Sequence, residues 1–311
     1  MNQDISRDVY EVIVVKNFED QELDEFIDSN GFRRILAGND PVGIFLSIGV
    51  EEAKGEIVSF LEDDDIFTHD KISWIVRVFE NQKVVYYHNS YNVIDENGKE
   101  IDYTFFSVVR EQVNLLIDST LNLTKQLKFH NIHDVGSFYF NPSCVSMRRS
   151  ILVLSAPFLR RLVSHADDFL FFSAMNFGDN KVAMIDNKRL TFYRKHGSTS
   201  ADNKLKQRAL SLLELYESGS KLIDEMVEQT QFAVFTKCQF ITARTERYVW
   251  NGDVKSFFGI LKPYVKCLRF NNYPYYHIAA RCILLYMQIL MPHQSKRLQD
   301  SLSNFFERLK I

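Results

Sequence analysis

The sequence predicts an α/β protein, a layered sheet with parallel strands, followed by a helical region. Three observations carry that prediction. Through residues 1–90, short apolar runs alternate with helix-length amphipathic segments. The run Ile57-Val58-Ser59-Phe60-Leu61 reads as a buried strand and ends abruptly in four carboxylates, Glu62-Asp63-Asp64-Asp65. From 203 to 311 nearly every segment has helical spacing.

The elements follow in order. Residues 10–15 are a short apolar strand. Residues 18–29 suit a helix, with Leu23, Phe26 and Ile27 on one face, and Gly31 breaks it before a second strand at 33–37. Gly38-Asn39-Asp40-Pro41 is a turn by its residue types, and 44–54 is a helix expected to be capped by Gly55. After the carboxylate strand, Thr68-His69-Asp70 opens a helix carrying Ile72, Ile75, Val76 and Phe79. Residues 84–88 are a strand, 95–99 a hairpin turn and 101–104 its return. Residues 105–130 look helical, and 138–147 looks like a strand bent at Pro142 that leads into a helix after Arg148-Arg149. Asp167-Asp168 opens an apolar helix over 169–175, and 181–185 and 190–193 are two further short strands.

The totals exclude several classes. A chain of 311 residues can bury a sizeable core in one or two domains. A net charge of -3 marks no polyanion-binding surface, so nucleic acid is not an expected partner. The aromatic load, 26 Phe and 14 Tyr against 12 Gly, suggests a well-packed interior. Cys144, Cys238, Cys267 and Cys282 are far apart without a CxxC pair, which argues against a disulfide framework or zinc ribbon and fits a reducing cytoplasm. The first residues carry no apolar signal-peptide core, and no window of about 18 residues is uninterruptedly apolar, so neither a leader nor a spanning helix is expected.

The chemistry concentrates in two acidic groups. Four acids at the end of a buried strand repel each other and raise each other's pKa values. A fold accepts that cost most readily around a cation or ligand, and oxygen-only donors select a hard ion, Mg²⁺ or Mn²⁺. Taken alone, the run also fits a solvated acidic turn. Ligands on open α/β sheets bind beyond the carboxyl ends of strands, which is where Glu62 to Asp65 lie. The second group, Asp167-Asp168, equally suits the negative first turn of a helix.

The order of these motifs resembles glycosyltransferase family 2. The resemblance rests on Ala53-Lys54-Gly55-Glu56, the acidic run 62–65, the hairpin 93–99, Asp167-Asp168, and Tyr193-Arg194-Lys195-His196 with Ser198 to Ser200. It covers residues 1–200 and implies a GT-A fold, Rossmann-like, with a mostly parallel sheet and helices on both faces, followed by an α-helical domain at 201–311. Glu62 and Asp64 match the family's Asp-x-Asp motif. The resemblance makes Asp64 the main metal ligand, Glu62 a further ligand near the donor ribose, and Asp65 the next acid at the ion, with Asp63 beside the donor. It makes Asp168 the catalytic base, with Asp167 in place of the usual glutamate, and sets Arg194 and His196 near the diphosphate. From its own residues, His196 beside Arg and Lys reads more simply as a surface histidine.

The activity so implied is inverting, metal-dependent transfer of a sugar from a UDP-, GDP- or dTDP-linked donor to a saccharide or lipid-linked acceptor. The expected site of action is the cytoplasm or the cytoplasmic membrane face. Two departures from the family pattern bear on it. The family begins with a strand and helix before the strand matched here by 10–15, so the chain reads as lacking that first strand. The usual Asp-Asp-Gly-Ser is Lys16-Asn17-Phe18-Glu19 here, leaving Asn17 as the only donor contact at that point. These departures support an alternative, a catalytically silent or truncated homologue that binds a partner or saccharide. A phosphoryl- or nucleotidyl-transferring enzyme would need a Gly-rich phosphate loop, which the sequence lacks. In the C-terminal third, 278–292 is the most apolar stretch, read as a buried helix, with an interfacial helix as the other reading.

Overall fold

A computed structural model describes residues 3–102, 115–119, 126, 138–178, 181–195, 206–227 and 233–270, with backbone alone at 206–212, 235, 250 and 268–270. Strand β1 (Ile13–Lys16) pairs in parallel with β2 (Arg33–Leu36), Ile13 opposite Arg33. The connection is α1 (Gln21–Ser29), whose first turn is capped by Asp20 accepting the Leu23 N–H at 3.0 Å. Gly31 follows with φ +68°, a conformation that glycine adopts without penalty. Helix α2 (Val42–Glu52) stops short of the expected Gly55 cap. Ala53 is already extended, and the Glu11 carboxylate accepts the N–H groups of Lys54 and Gly55.

The second sheet holds β3 (Ile57–Ser59), β4 (Ile66–Phe67), β5 (Val84–Ile94), β6 (Leu115–Asp118), β7 (Val145–Arg148) and β8 (Val182–Arg194). Its order is β3-β7-β5-β8-β4, with β6 also on β8. Only β5 and β8 pair in parallel, while β3–β7, β5–β7, β4–β8 and β6–β8 are antiparallel. The sheet is thus mixed, which corrects the expectation of a mostly parallel one. Strands β3, β5 and β8 do run the same way. Strand β7, reached only after a long excursion, inserts between β3 and β5 in the opposite direction.

Three local expectations change as well. Residues 115–118 are strand rather than helix: Leu115 and Ile117 are buried and Leu116 is exposed, a two-residue period. The rest of the 105–130 segment, apart from Ser119 and Gln126, lies outside the described residues. The bent strand at 138–147 is a 3₁₀ turn, Pro142–Cys144, followed by β7, because Asn141 turns the chain at φ 69°. The two strands expected at 181–193 are one strand, β8, with register shifts where it passes His88 to Tyr91.

Helices cover both faces of this sheet. Neighbouring strand residues point to opposite sides, so Tyr87 packs with Ile75 and Phe79 of α3 (Lys71–Phe79) while Tyr86 meets Phe171 of α5 (Ala166–Phe177) edge-on at 5.5 Å. Residues Phe169 to Phe172 of α5 are all fully buried, so its first turn is presented from a rigid base. Between them in sequence, α4 (Arg149–Leu159) follows β7 directly.

The chain divides into two compact units, Met1–Gly197 with Glu225–Phe232, and Ser198–Asp224 with Ala233–Ile311. The later helices are α6 (Lys206–Val227), α7 (Ala233–Asn251) and α8 (Val254–Phe270). In the second unit Glu217 accepts from both Arg244 and Arg247, and Cys238 is bonded to Cys267 with Cα atoms 5.1 Å apart. That bond corrects the reading of four isolated cysteines: 29 residues separate the pair in sequence, but the α7–α8 turn brings them together. No helix among the described residues is long and apolar enough to cross a membrane. The apolar stretch 278–292 lies outside the described residues.

Close packing at the α2 N-terminus is testable. A Cβ on Gly43 would stand 2.0 Å from the Leu159 carbonyl and 2.6 Å from that of Leu162. Gly43→Ala should therefore destabilise the fold by about 1–3 kcal/mol, seen as a lower denaturant midpoint. The half-exposed neighbour serves as a control through Val42→Ala, and a wild-type midpoint for Gly43→Ala would contradict this packing.

Candidate active site

The acidic run forms the turn between β3 and β4. Phe60 N–H still bonds the Val145 carbonyl at 3.2 Å, and the chain then leaves the sheet. The turn is fastened from beneath. Asp65 is buried, and its two carboxylate oxygens accept from the Arg194 backbone N–H at 2.9 Å and from Asn141 Nδ2 at 2.6 Å. Glu62 N–H donates to Ser143 Oγ at 2.9 Å. Lys71, fully buried, donates to the Ser143 carbonyl at 2.5 Å and to Thr191 Oγ1 at 2.9 Å, with its ammonium 3.9 Å from the centre of the Phe67 ring. Burial pulls the Lys71 ammonium down to about 7, partly opposed by nearby Cys144 and Asp65.

Above this floor, Glu62, Asp64 and Asp65 each offer an oxygen within 4.8 Å of the others. Desolvation and the charges of Asp65, Asp64, Asp167 and Asp63 push the Glu62 carboxyl up to about 8. The Glu62 side chain is solvent-exposed, which weakens the desolvation part and leaves like-charge crowding as the firmer cause. Asp65 is also raised by burial, against its hydrogen bonds from Arg194, Asn141 and Ser143. An all-oxygen donor set whose members repel each other fits a hard divalent cation, which would relieve that repulsion.

The second acidic group stands at the start of α5. Asp168 is buried and Asp167 half-buried, and the Asp168 N–H donates to Asp167 Oδ1 at 3.0 Å. Burial first, then the charge of Asp168, pushes the Asp167 carboxyl up to about 7, opposed by His165. His165 Nδ1 lies 3.3 Å from Asp168 Oδ2. The two acidic groups share one electrostatic region, since Asp167 is among the charges that raise Glu62.

The other expected residues are placed as follows. Asp63 is exposed on the acidic turn. Asn17 is exposed immediately beyond β1, while the Lys16 ammonium before it is buried against Asp24 and 4.9 Å from the Phe18 ring centre. Arg194 is a brace rather than a free cation: its guanidinium donates to the carbonyls of Asp64 (2.8 Å), Asp95 (3.1 Å) and Glu96 (3.0 Å), tying the acidic turn to the hairpin. His196 lies outside the described residues. Lys71, Asn141, Ser143 and His165 carry no mark of a site role in the sequence. A lysine six residues after an acidic run, and an Asn-Pro-Ser turn, gave no sign that they would meet under it.

Residues 1–152 match the family model described as glycosyl transferase family 2. An uncharacterized glycosyltransferase of Rickettsia bellii is 26% identical over 97 residues, which are 30% of this chain and 14% of that protein. One from Nostoc sp. is 37% identical over 68 residues, 22% of this chain and 21% of its own length. The chain thus matches only a small part of these curated relatives. Among solved structures, residues 1–349 of S. aureus TarS align at a TM-score of 0.57 and 13% identity, covering 95% of this chain and 82% of that one. The same protein in complex with UDP-GlcNAc aligns at 0.51 and 10% identity, covering 94% and 85%. At these identities the likeness is one of fold, the GT-A fold.

The raised carboxyls have a consequence for stability. A group whose folded pKa exceeds its unfolded value stabilises below the unfolded pKa, and that stability is lost as pH rises through the folded one. For Glu62, moved from 4.5 to about 8, and Asp167, moved from 3.8 to about 7, the loss falls between about pH 4 and pH 8. The melting temperature of the metal-free chain should therefore fall from about pH 5 to about pH 8 relative to a Glu62→Gln/Asp167→Asn variant. Parallel curves for the two proteins would contradict these placements.

Proposed function

We propose that this chain, matched to glycosyl transferase family 2 over residues 1–152, transfers a sugar from a nucleotide-sugar donor to an acceptor hydroxyl, with a divalent cation and with inversion. The observation that carries the proposal is the convergence of two acidic groups from separate elements, the β3–β4 turn and the first turn of α5. One group suits a cation and the donor diphosphate, and the other suits an acceptor. TarS is solved in complex with UDP and with UDP-GlcNAc, which makes a UDP-linked sugar the first donor to test.

In this reading each acid has a role. Asp64 and Glu62 would hold the ion, while Asp65, with both oxygens engaged, holds the turn. An Mg²⁺ or Mn²⁺ ion bound there supplies neutralisation of the charge that develops on the leaving diphosphate. Asp168 takes the proton of the acceptor hydroxyl as that oxygen bonds to the anomeric carbon and the bond to the diphosphate breaks. One displacement from the face opposite the leaving group inverts the anomeric centre. Asp167, raised by burial and by the charge of Asp168, leans toward its neutral form beside the base. Asn17, exposed immediately beyond β1, is the residue this reading offers to the nucleotide's base or ribose.

A second reading, a silent homologue, has one observation in its favour. Lys16, standing where the family pattern has an aspartate, is neutralised internally by Asp24, so β1 ends without a free acid.

The test is release of UDP from UDP-GlcNAc with Mn²⁺, water serving as acceptor. Asp168→Asn should lower that release by roughly 10²–10⁴-fold and leave Mn²⁺-dependent UDP binding intact. Asp64→Ala should abolish the dependence of UDP binding on Mn²⁺. Undiminished release by Asp168→Asn would move the base elsewhere, and unchanged Mn²⁺ dependence in Asp64→Ala would remove the ion from that turn.

A further inference from the structure

Two described residues other than glycine have positive φ, Asn141 at 69° and His165 at 61°. Both stand at the site. Asn141 uses its side chain to hold Asp65. His165 sits one residue before α5 in the left-handed region, with ψ 45°, and its side chain makes no cap bond to the helix backbone. A non-glycine residue in that region is strained, and such strain collects where a side chain must be aimed. Here it aims the imidazole at Asp168, Nδ1 to Oδ2 at 3.3 Å.

We propose that His165 is a positioning residue for Asp168: its Nδ1–H holds one carboxylate oxygen and leaves the other for the acceptor hydroxyl. The inference rests on Asp168 being the base. Several features of the structure support it. Asp168 is buried, so its orientation depends on protein partners rather than water. The backbone beneath the pair is stiff, since Phe169 N–H bonds the His165 carbonyl at 2.9 Å and the next four side chains are fully buried. The charged and titratable groups facing the pair are Asp167 on the same helix, Tyr86 from β5, whose phenol both aspartates affect, and Glu62 from the acidic turn, which feels Asp167. Burial alone would lower the His165 pKa, but the charges of Asp168 and Asp167 outweigh it and raise it. His165 thus carries a proton more readily than a free histidine and stands as a donor beside the carboxylate.

The backbone conformation separates this role from a structural one. Glycine adopts φ +61° at no cost and asparagine at little, so His165→Gly and His165→Asn keep the chain path. In the assay with UDP-GlcNAc and Mn²⁺, His165→Gly should lower kcat up to about 100-fold with little change in KM. The acid limb of its kcat–pH profile should also move, because the imidazole facing the carboxylate is gone. His165→Asn, whose amide can donate, should recover part of the rate. Wild-type kcat and an unmoved acid limb in His165→Gly would overturn the proposal. An NMR titration of the histidine ring protons, with His165 assigned by its loss in His165→Asn, gives a readout that needs no turnover. The His165 pKa should lie above that of a free histidine and fall in Asp168→Asn. An unmoved value would overturn the pairing. A falling value combined with full activity of Asp168→Asn would keep the pairing and refute Asp168 as the base, so the two failures are distinguishable.

Discussion

Four consecutive carboxylates can be crowded into one turn beyond a half-buried strand only if that turn is fixed by something other than their own contacts. Asp65 provides that constraint. Its two oxygens are held by the end of β8 through Arg194 N–H and by the side chain of Asn141, so the last acid of the run is a fastening. The fastening is itself supported from below. Ser143 binds Glu62 N–H through its hydroxyl, and its carbonyl accepts from the buried Lys71, which also bonds Thr191 of β8. Strand β4, the Pro142–Cys144 turn, α3 and β8 therefore meet under one loop. Release of Asp65 would free Glu62 and Asp64 to spread into solvent, where their mutual repulsion would cost little and attract little.

The same logic runs through α5. Its first turn collects two negative charges that favour a helix N-terminus, yet their burial and mutual repulsion raise Asp167. The helix tolerates this because the aromatic run behind it is completely buried against β5 and its neighbours. Stability gained from packing Phe169 to Phe172 is set against strain at His165 and crowding at Asp167. A chain selected only for stability would have little use for that exchange at the mouth of its sheet.

Much of this was legible in the sequence. The α/β alternation, the end of the carboxylate strand and the helix opened by Asp167-Asp168 follow from periodicity, and the order of motifs pointed to the fold that the comparisons bear out. Strand direction was not legible. Nothing in Val145-Ser146-Met147 says that it slots antiparallel between two strands that run the other way, because pairing is decided by where the chain returns. Leu115 to Asp118 is too short for its two-residue period to outweigh helical surroundings. Arg194 was legible as a residue near the site but not as a brace, since its partners are backbone carbonyls far away in sequence. His165 was visible beside the acids. The positive φ that aims its ring was not, because histidine, although it enters that region more often than most residues, adopts it only in a small minority of cases.

The measurement that tests the central claim most directly is calorimetric titration of the 311-residue chain with UDP, GDP and dTDP, each with and without Mn²⁺. A nucleotide-sugar site built on the acidic turn predicts saturable binding of at least one of the three that requires Mn²⁺. Absence of binding by all three, or binding indifferent to Mn²⁺, would contradict the account and favour a silent homologue.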